Sequence, residues 1–395
     1  MGETPRCAQM SLLDYCNTDK QRQIITSYLE SGSMTKTAKT LGVDVANTRK
    51  LINVIKTRAA KAGFSPDHDM THTVPDGFHV KGVSTLYGED GEKKIQWVKS
   101  AVDKENEKKL LDEFVDGLCE RVNGKAKRIQ APKVDNKNLL TIYPLGDPHV
   151  GQFSWGVESG EDYDLKIAIS DNLRATERVI ESAPASELAL IVNVGDLFHA
   201  DNFTSRTPNS GAPLDTDTRL PKVFQGVESI LTHKIDLTLQ KHKHVHIRNA
   251  IGNHDITMSY CISRVLKAYY SNEPRVTVHD QYTHYWYFPF HKNLIGVTHG
   301  DKVKLESLGE IMAADQAEQW GKTTFRYWYT GHIHHKRQFE LRGCMAESFR
   351  TIAPRDAWNT EQGYRSERDM CNIVIDKDYG EVERHTCNIR MIKTR

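Results

Sequence analysis

Five short apolar or β-rich runs from residue 139 onward, LLTIYPL, ELALIVNV, HVHIRNA, NLIGVT and FRYWYT, each stop on Asp, Asn or His with glycine beside it. Runs of this length bounded by glycine read as strands. Between them lie segments with helical spacing of apolar residues, such as DLKIAISDNLRATERVIESA and RLPKVFQGVESILTHKIDLTLQKH. Strands alternating with helices specify an α/β domain, and the carboxyl ends of its strands open on one crevice. The five endings are therefore expected to converge. They are Asp147 and His149; Asp196; Asn253, His254 and Asp255; His299; and His332 and His334. One such ending is a turn more often than a site, but five in succession are hard to explain as turns.

These side chains offer carboxylate oxygen, amide oxygen and imidazole nitrogen, and no thiolate. That donor set suits Mn, Fe, Ni or Zn in an open site, not closed structural zinc. Seven of them, Asp147, His149, Asp196, Asn253, His299, His332 and His334, are the candidate ligands. Only two are anionic, so two divalent ions held here keep excess positive charge, which suits a phosphate ester.

The series D-x-H, G-D, G-N-H-D, H and G-H-x-H, over roughly residues 139–340, resembles the calcineurin-like metallophosphoesterase family. The resemblance implies a two-sheet sandwich flanked by helices with a two-metal site at the strand ends, Mn²⁺ being the first expectation. It implies Asp147, His149 and His334 on one ion, Asn253, His299 and His332 on the other, and Asp196 between them. His254 would be the general acid and Asp255 would orient it. His199 and Arg206 are candidate substrate contacts, the latter in a long polar loop over residues 200–219 together with Arg219. Asp301 reads as a cap on the next helix. The closing stretch MCNIVIDKDYGEVERHTCNIRMI reads as a β-hairpin that completes a sheet.

The amino-terminal part has a different character. Residues 19–63 carry nine Lys or Arg against three Asp or Glu, so a segment of charge +6 joins a remainder of −5. KQRQIITSYLESG and SMTKTAKTLGVDVANTRKLINVIKTRA read as helices broken at Gly32 and Gly42. Ser33 is a candidate N-cap, and Ala38, Leu41, Leu51, Ile52 and Ile55 are expected inside. The pattern resembles a helix-turn-helix whose second helix presents Asn47, Arg49, Lys50, Lys56 and Arg58 to DNA. The expected division is 1–64 for this module, 65–138 for a hairpin, a helix and a basic linker, and 139–395 for the phosphoesterase-like domain. A basic module beside such a domain is similar to what SbcD-type nucleases and phage-encoded proteins would need. Two other readings compete with a DNA nuclease. One is a phosphatase or small-nucleotide phosphodiesterase that docks through its helices, and the other a DNA-binding regulator with a non-catalytic domain.

Seven scattered cysteines without a C-x-x-C pair fit reduced thiols and exclude a disulfide framework. MGETPRCAQM has no apolar signal region, so a cytoplasmic protein without a membrane span is expected, with self-association into a homo-oligomer left open by the sequence.

Overall fold

The computed structural model describes residues 11–393 except 69, 72, 73, 75–77, 89–92, 103, 135 and 209. The chain forms two compact units, Met1–Phe114 and Val115–Arg395.

In the first unit, α1 (Asp19–Ser31), α2 (Met34–Leu41) and α3 (Val45–Lys61) are each started by a short polar side chain. Thr18, Ser33 and Asp44 accept from backbone N–H groups one turn ahead, which satisfies donors the helix itself leaves open. Gly42 ends α2 at φ +63°, a left-handed conformation that glycine adopts without penalty. Ile24, Ile25, Ile52 and Ile55 are fully or almost fully buried with Cys16, and Leu41 and Leu51 pack against them. Asn47, Arg49 and Lys50 stand exposed on α3. Lys56 and Arg58 depart from the expected exposed face. The Arg58 guanidinium donates to the Tyr15 carbonyl at 2.8 Å, while the Lys56 ammonium lies over the Tyr28 ring and pairs with Asp67 at 3.3 Å. Both hold the module together. Strands β1 (Phe78–Tyr87) and β2 (Lys93–Val102) form the expected antiparallel hairpin, its turn residues 89–92 lying outside the described residues. Helix α4 (Lys104–Val122) follows.

The second unit begins at Val115, earlier than residue 139, for a physical reason. Residues 123–138 run along the domain surface and do not hang free as a linker. The Asn272 amide donates to the carbonyls of Gly124 and Ala126, Arg275 to that of Ile129, and the Glu187 N–H to that of Asn136.

Two sheets then stack face to face. The first contains β3 (Leu139–Leu145), β4 (Leu188–Asn193), β5 (His244–Asn249) and β6 (Val276–His279), all parallel. The closing hairpin β12 (Asp369–Asp376) and β13 (Gly380–Asn388) extends it beyond β3, as the sequence suggests. The second contains β7 (Trp286–Phe290), β8 (Asn293–Val297), β9 (Phe325–Thr330), β10 (Arg337–Leu341) and β11 (Cys344–Ser348) in the order β10-β11-β9-β8-β7. Alternate residues of each strand fill the space between the sheets: Leu140 and Ile142, Leu190 and Val192, Ile295 and Val297, Tyr327 and Tyr329, Ile373 and Ile375. The opposite faces meet helices. α5 (Leu165–Ser182) and α6 (Leu220–Lys241) cover the first sheet with α7 (Ile256–Tyr269), and α8 (Leu308–Asp315) buries Leu308 and Met312 against Leu294, Trp328 and Ala346 of the second. The result is the expected α/β sandwich. The five strands read from sequence are divided between the sheets, three in the first and two in the second, with their carboxyl ends at one edge. Among the described residues no helix is long and apolar enough to cross a membrane, and the described cysteines are unpaired thiols.

Candidate metal centre

Each candidate ligand sits just past a strand, and five of the seven have left-handed backbone. Asp147, His149, Asp196, His332 and His334 lie at φ +35°, +43°, +47°, +69° and +54°. A non-glycine residue there costs roughly 1–2 kcal/mol, so this edge holds strain that the packed sheets must support. Clustering of such residues marks functional sites. Gly252 and Gly331 explain the close approach. A Cβ on Gly252 would fall onto the Asp196 carboxylate and its backbone nitrogen, and one on Gly331 onto the Asp147 carboxylate.

The side chains converge as the sequence predicts. His149 Nε2 stands 3.0 Å from His334 Nε2, and His299 Nε2 stands 2.9 Å from Asn253 Oδ1. Asp196 Oδ2 is 3.2 Å from His299 Nε2 and 3.9 Å from His149 Nε2, between the two sets. Asp147 Oδ2 lies 3.9 Å from His334 Nε2, and the rings of His299 and His332 are 5.1 Å apart. Donor atoms about 2.0–2.2 Å from one ion lie about 3.0–3.5 Å from each other, so the shortest of these spacings suit coordination.

Protonation points the same way. Burial holds His149 well below the usual imidazole range, His334 at about 4 and His199 at about 3, and it also lowers His332. These rings are neutral near pH 7, the form that binds metal. Burial pushes the Asp147 carboxyl well up, and both its oxygens are buried without a hydrogen-bond partner among the described residues. Burial opposes charge on Asp196 too, but His299 beside it holds that carboxyl well below the usual range. His299 in turn is pushed up to about 10 by Asp196 and Asp147 against its burial. Two buried carboxylates here call for a cation. Orphaned carboxylate oxygens, the neutral imidazoles of His149, His332 and His334 and matching spacings together fit a pair of divalent ions.

His254 extends from the same loop into the cleft. Its backbone N–H donates to Asp196 Oδ1 at 2.8 Å, and its Nδ1–H donates to the His199 carbonyl at 2.9 Å. This corrects the role expected of Asp255, which does not touch the His254 ring. The Asp255 carboxylate instead accepts the N–H groups of Leu197 (2.8 Å), Phe198 (3.2 Å) and Gly252 (3.1 Å), tying together the loops that carry Asp196 and Asn253. Burial pushes its carboxyl up to about 8. His199 is 2% exposed and lines the same cleft, and its Nδ1 lies 3.2 Å from His149 Nδ1, so it sets the tilt of a candidate ligand. Arg206 folds back to the Gly211 carbonyl at 2.7 Å and stabilises its own loop, and Arg219 starts α6. Asp301 pairs with Lys302 at 2.7 Å.

Two further residues escape a sequence reading. Thr351 Oγ1 donates to the Asp147 carbonyl at 2.6 Å, and the Asp201 carboxylate accepts the N–H groups of Thr257 and Met258 at the start of α7. Both act through backbone atoms, which leave no motif.

The centre forms the floor of a cleft of about 890 Å³, lined by His149, Asp196, Asn253, His254, His332 and His334 among others. Its walls are the 207–215 loop and the segment 351–368.

No family model and no curated protein matches the chain. Solved structures with a related chain path include a conserved uncharacterized protein, a predicted phosphoesterase, from Streptococcus pneumoniae. It is 13% identical, with a TM-score of 0.25, over 63% of this chain and 98% of that one. Zinc-complexed Vps29 from Entamoeba histolytica is 9% identical, with a TM-score of 0.26, over 63% and 99%. PhoD is 7% identical, with a TM-score of 0.33, over 66% and 70%. These are proteins of metallophosphoesterase fold, and at such scores the functional reading stands on the site itself.

Proposed function

We propose that this protein is a two-metal phosphoesterase that hydrolyses phosphodiester bonds, with DNA as its substrate. The observation that carries the reading is the convergence of seven nitrogen and oxygen donors from five strand ends around two buried carboxylates. Asp147, His149 and His334 would hold one ion and Asn253, His299 and His332 the other, with Asp196 shared. When bound, the ions supply Lewis acidity toward a phosphate oxygen and a water that is nucleophilic near neutral pH. The chain's own groups do the rest. Asp255 and Asp201 fix the loops, His199 fixes His149, and His254 is held through Nδ1 so that Nε2 faces the cleft. As the bond from phosphorus to the leaving oxygen breaks, His254 Nε2 gives that oxygen its proton.

The choice of DNA rests on the basic three-helix module. Its α2–Gly42–α3 turn and exposed Asn47, Arg49 and Lys50 resemble a helix-turn-helix reading head. The test is hydrolysis with added Mn²⁺ of labelled single- and double-stranded DNA, bis-p-nitrophenyl phosphate and p-nitrophenyl phosphate, with Asp196→Asn as the blank. Cleavage of DNA and the diester, lost in the variant, is the expected result. Turnover of the monoester with DNA left intact would replace this reading by a phosphatase.

A further inference from the structure

The cleft wall opposite the 207–215 loop has a feature the metal chemistry does not use. Trp358 and Tyr364 stand 58% and 50% exposed with ring centroids 6.0 Å apart and planes tilted by 36°. Both line the cleft whose floor is Asp196, Asn253, His254 and His334. They are not on a loose strand. The short helix Ala357–Glu361 is capped by Asp356, whose carboxylate accepts the Asn359 N–H at 2.7 Å. The Tyr364 N–H returns to the Asn359 carbonyl at 3.0 Å, so the backbone fixes the two rings as a pair.

The charges around them are arranged for an anion. Arg355 donates to the Ser159 carbonyl (3.2 and 3.0 Å), and Arg365 to the carbonyls of Thr360 and Tyr364 (3.3 and 2.7 Å). With Arg337 they line the cleft, and none of the three forms an ion pair with a carboxylate among the described residues. Elsewhere on this wall Glu161 pairs with Arg368 and Lys393 and Glu367 with Arg390, while the Asp356 carboxylate is taken up by the Asn359 N–H. Two of these guanidinium groups, Arg355 and Arg365, are held in place by neutral carbonyls and not by carboxylates.

Flat aromatic faces at half exposure, beside uncompensated guanidinium groups and next to a phosphate-directed centre, match what a nucleotide presents: a π-face and a phosphate. We infer that Trp358 and Tyr364 are a stacking platform for an unpaired base adjoining the scissile phosphate, with Arg355 and Arg365 on the neighbouring phosphate. The substrate class is therefore single-stranded DNA or a splayed end, because a base within duplex has its faces covered by its neighbours. This inference rests on the nuclease reading above.

Binding separates the two ideas. In a His254→Ala background with Mn²⁺, fluorescence anisotropy would compare a labelled deoxythymidine oligomer with an abasic deoxyribose-phosphate oligomer of equal length. Trp358→Ala and Tyr364→Ala are each expected to weaken the thymidine oligomer about tenfold and to leave the abasic one unchanged. Trp358→Phe should retain most of the affinity. Equal losses on both oligomers, or no loss on either, would overturn the platform. If the unsubstituted chain turns over the small diester but cuts no oligonucleotide, the nuclease reading fails, and the base-dependent affinity still decides the platform by itself.

Discussion

His254→Ala tests the division of labour in the cleft most directly. A carbonyl oxygen only accepts, so the 2.9 Å contact to the His199 carbonyl fixes the proton on Nδ1 and leaves Nε2 for the substrate. A positioned general acid is worth roughly 10²–10⁴ in rate, or roughly 3–5 kcal/mol at the transition state. The whole of it is needed when the leaving group is a nucleoside oxygen. Almost none is needed when it is nitrophenolate, which departs as a stable anion. The matched substrates are thymidylyl-thymidine and thymidine 5′-(p-nitrophenyl phosphate), compared by kcat/KM for the parent and the variant. The expected result is a loss of about 10²–10³ on the dinucleotide and less than about threefold on the nitrophenyl ester. Equal losses on both would refute the acid role. A variant that also lost Mn²⁺-dependent thermal stabilisation would show His254 to be a ligand, because its side chain lies with His149 and His199 in one cluster of metal-capable atoms.

Three other expectations follow from named contacts. An ion at about a hundred times its dissociation constant stabilises by ~2.7 kcal/mol, which for a unit of this size raises Tm by roughly 5–10 °C; Asp196→Asn should abolish most of the rise seen with Mn²⁺ in a thermal melt, and an unchanged rise would remove Asp196 from the site. Lys234 on α6 is fully buried with only Met370 Sδ at 3.7 Å, and burial lowers its ammonium to about 7. The unfolded chain stays protonated to about 10.5, so the penalty is full below pH 7 and fades as pH rises toward 10.5; Lys234→Met should gain up to ~4 kcal/mol at pH 7 and under ~1 kcal/mol at pH 10 by urea denaturation, and a gain independent of pH would contradict the buried charge. In the amino-terminal module, Arg49→Glu with Lys50→Glu should weaken duplex binding at least about tenfold and flatten its salt dependence, whereas a variant that still bound DNA normally would leave the helices as a docking element.

The strands and the ligands were legible because both obey local rules. An apolar run with glycine at its end is visible in any window, and Asp147, His149, Asp196, Asn253, His299, His332 and His334 advertise themselves by residue type at those ends. Roles that depend on backbone atoms were not legible. Asp255 follows His254 in the chain, which suggests that one serves the other, yet its buried carboxylate is taken up by three N–H groups of the surrounding loops, those of Leu197, Phe198 and Gly252. Charge was misread for a related reason. Lys56 and Arg58 fall on the basic face by count, but their length lets them reach Tyr28, Asp67 and the Tyr15 carbonyl. Residues 123–138 look like a linker because they are polar, and their attachment runs through main-chain carbonyls that composition does not encode.

The strain at the centre links fold and function more tightly than the ligand list does. Left-handed backbone at Asp147, His149, Asp196, His332 and His334 places strain at the strand ends, where the donors converge. Such backbone is available to glycine at no cost, yet here glycine occupies the neighbouring positions, Gly195 and Gly331, and the strained ones carry the donors. Two sheets packed through Leu140, Val192, Ile295 and Tyr329 supply the rigidity that keeps five such residues from relaxing. The same rigidity holds the shortest donor spacings near 3 Å. Preorganisation of this kind spends folding stability on coordination geometry, and it explains why the ligands cluster at the ends of the most deeply buried strands and not on the polar 200–219 loop that borders them.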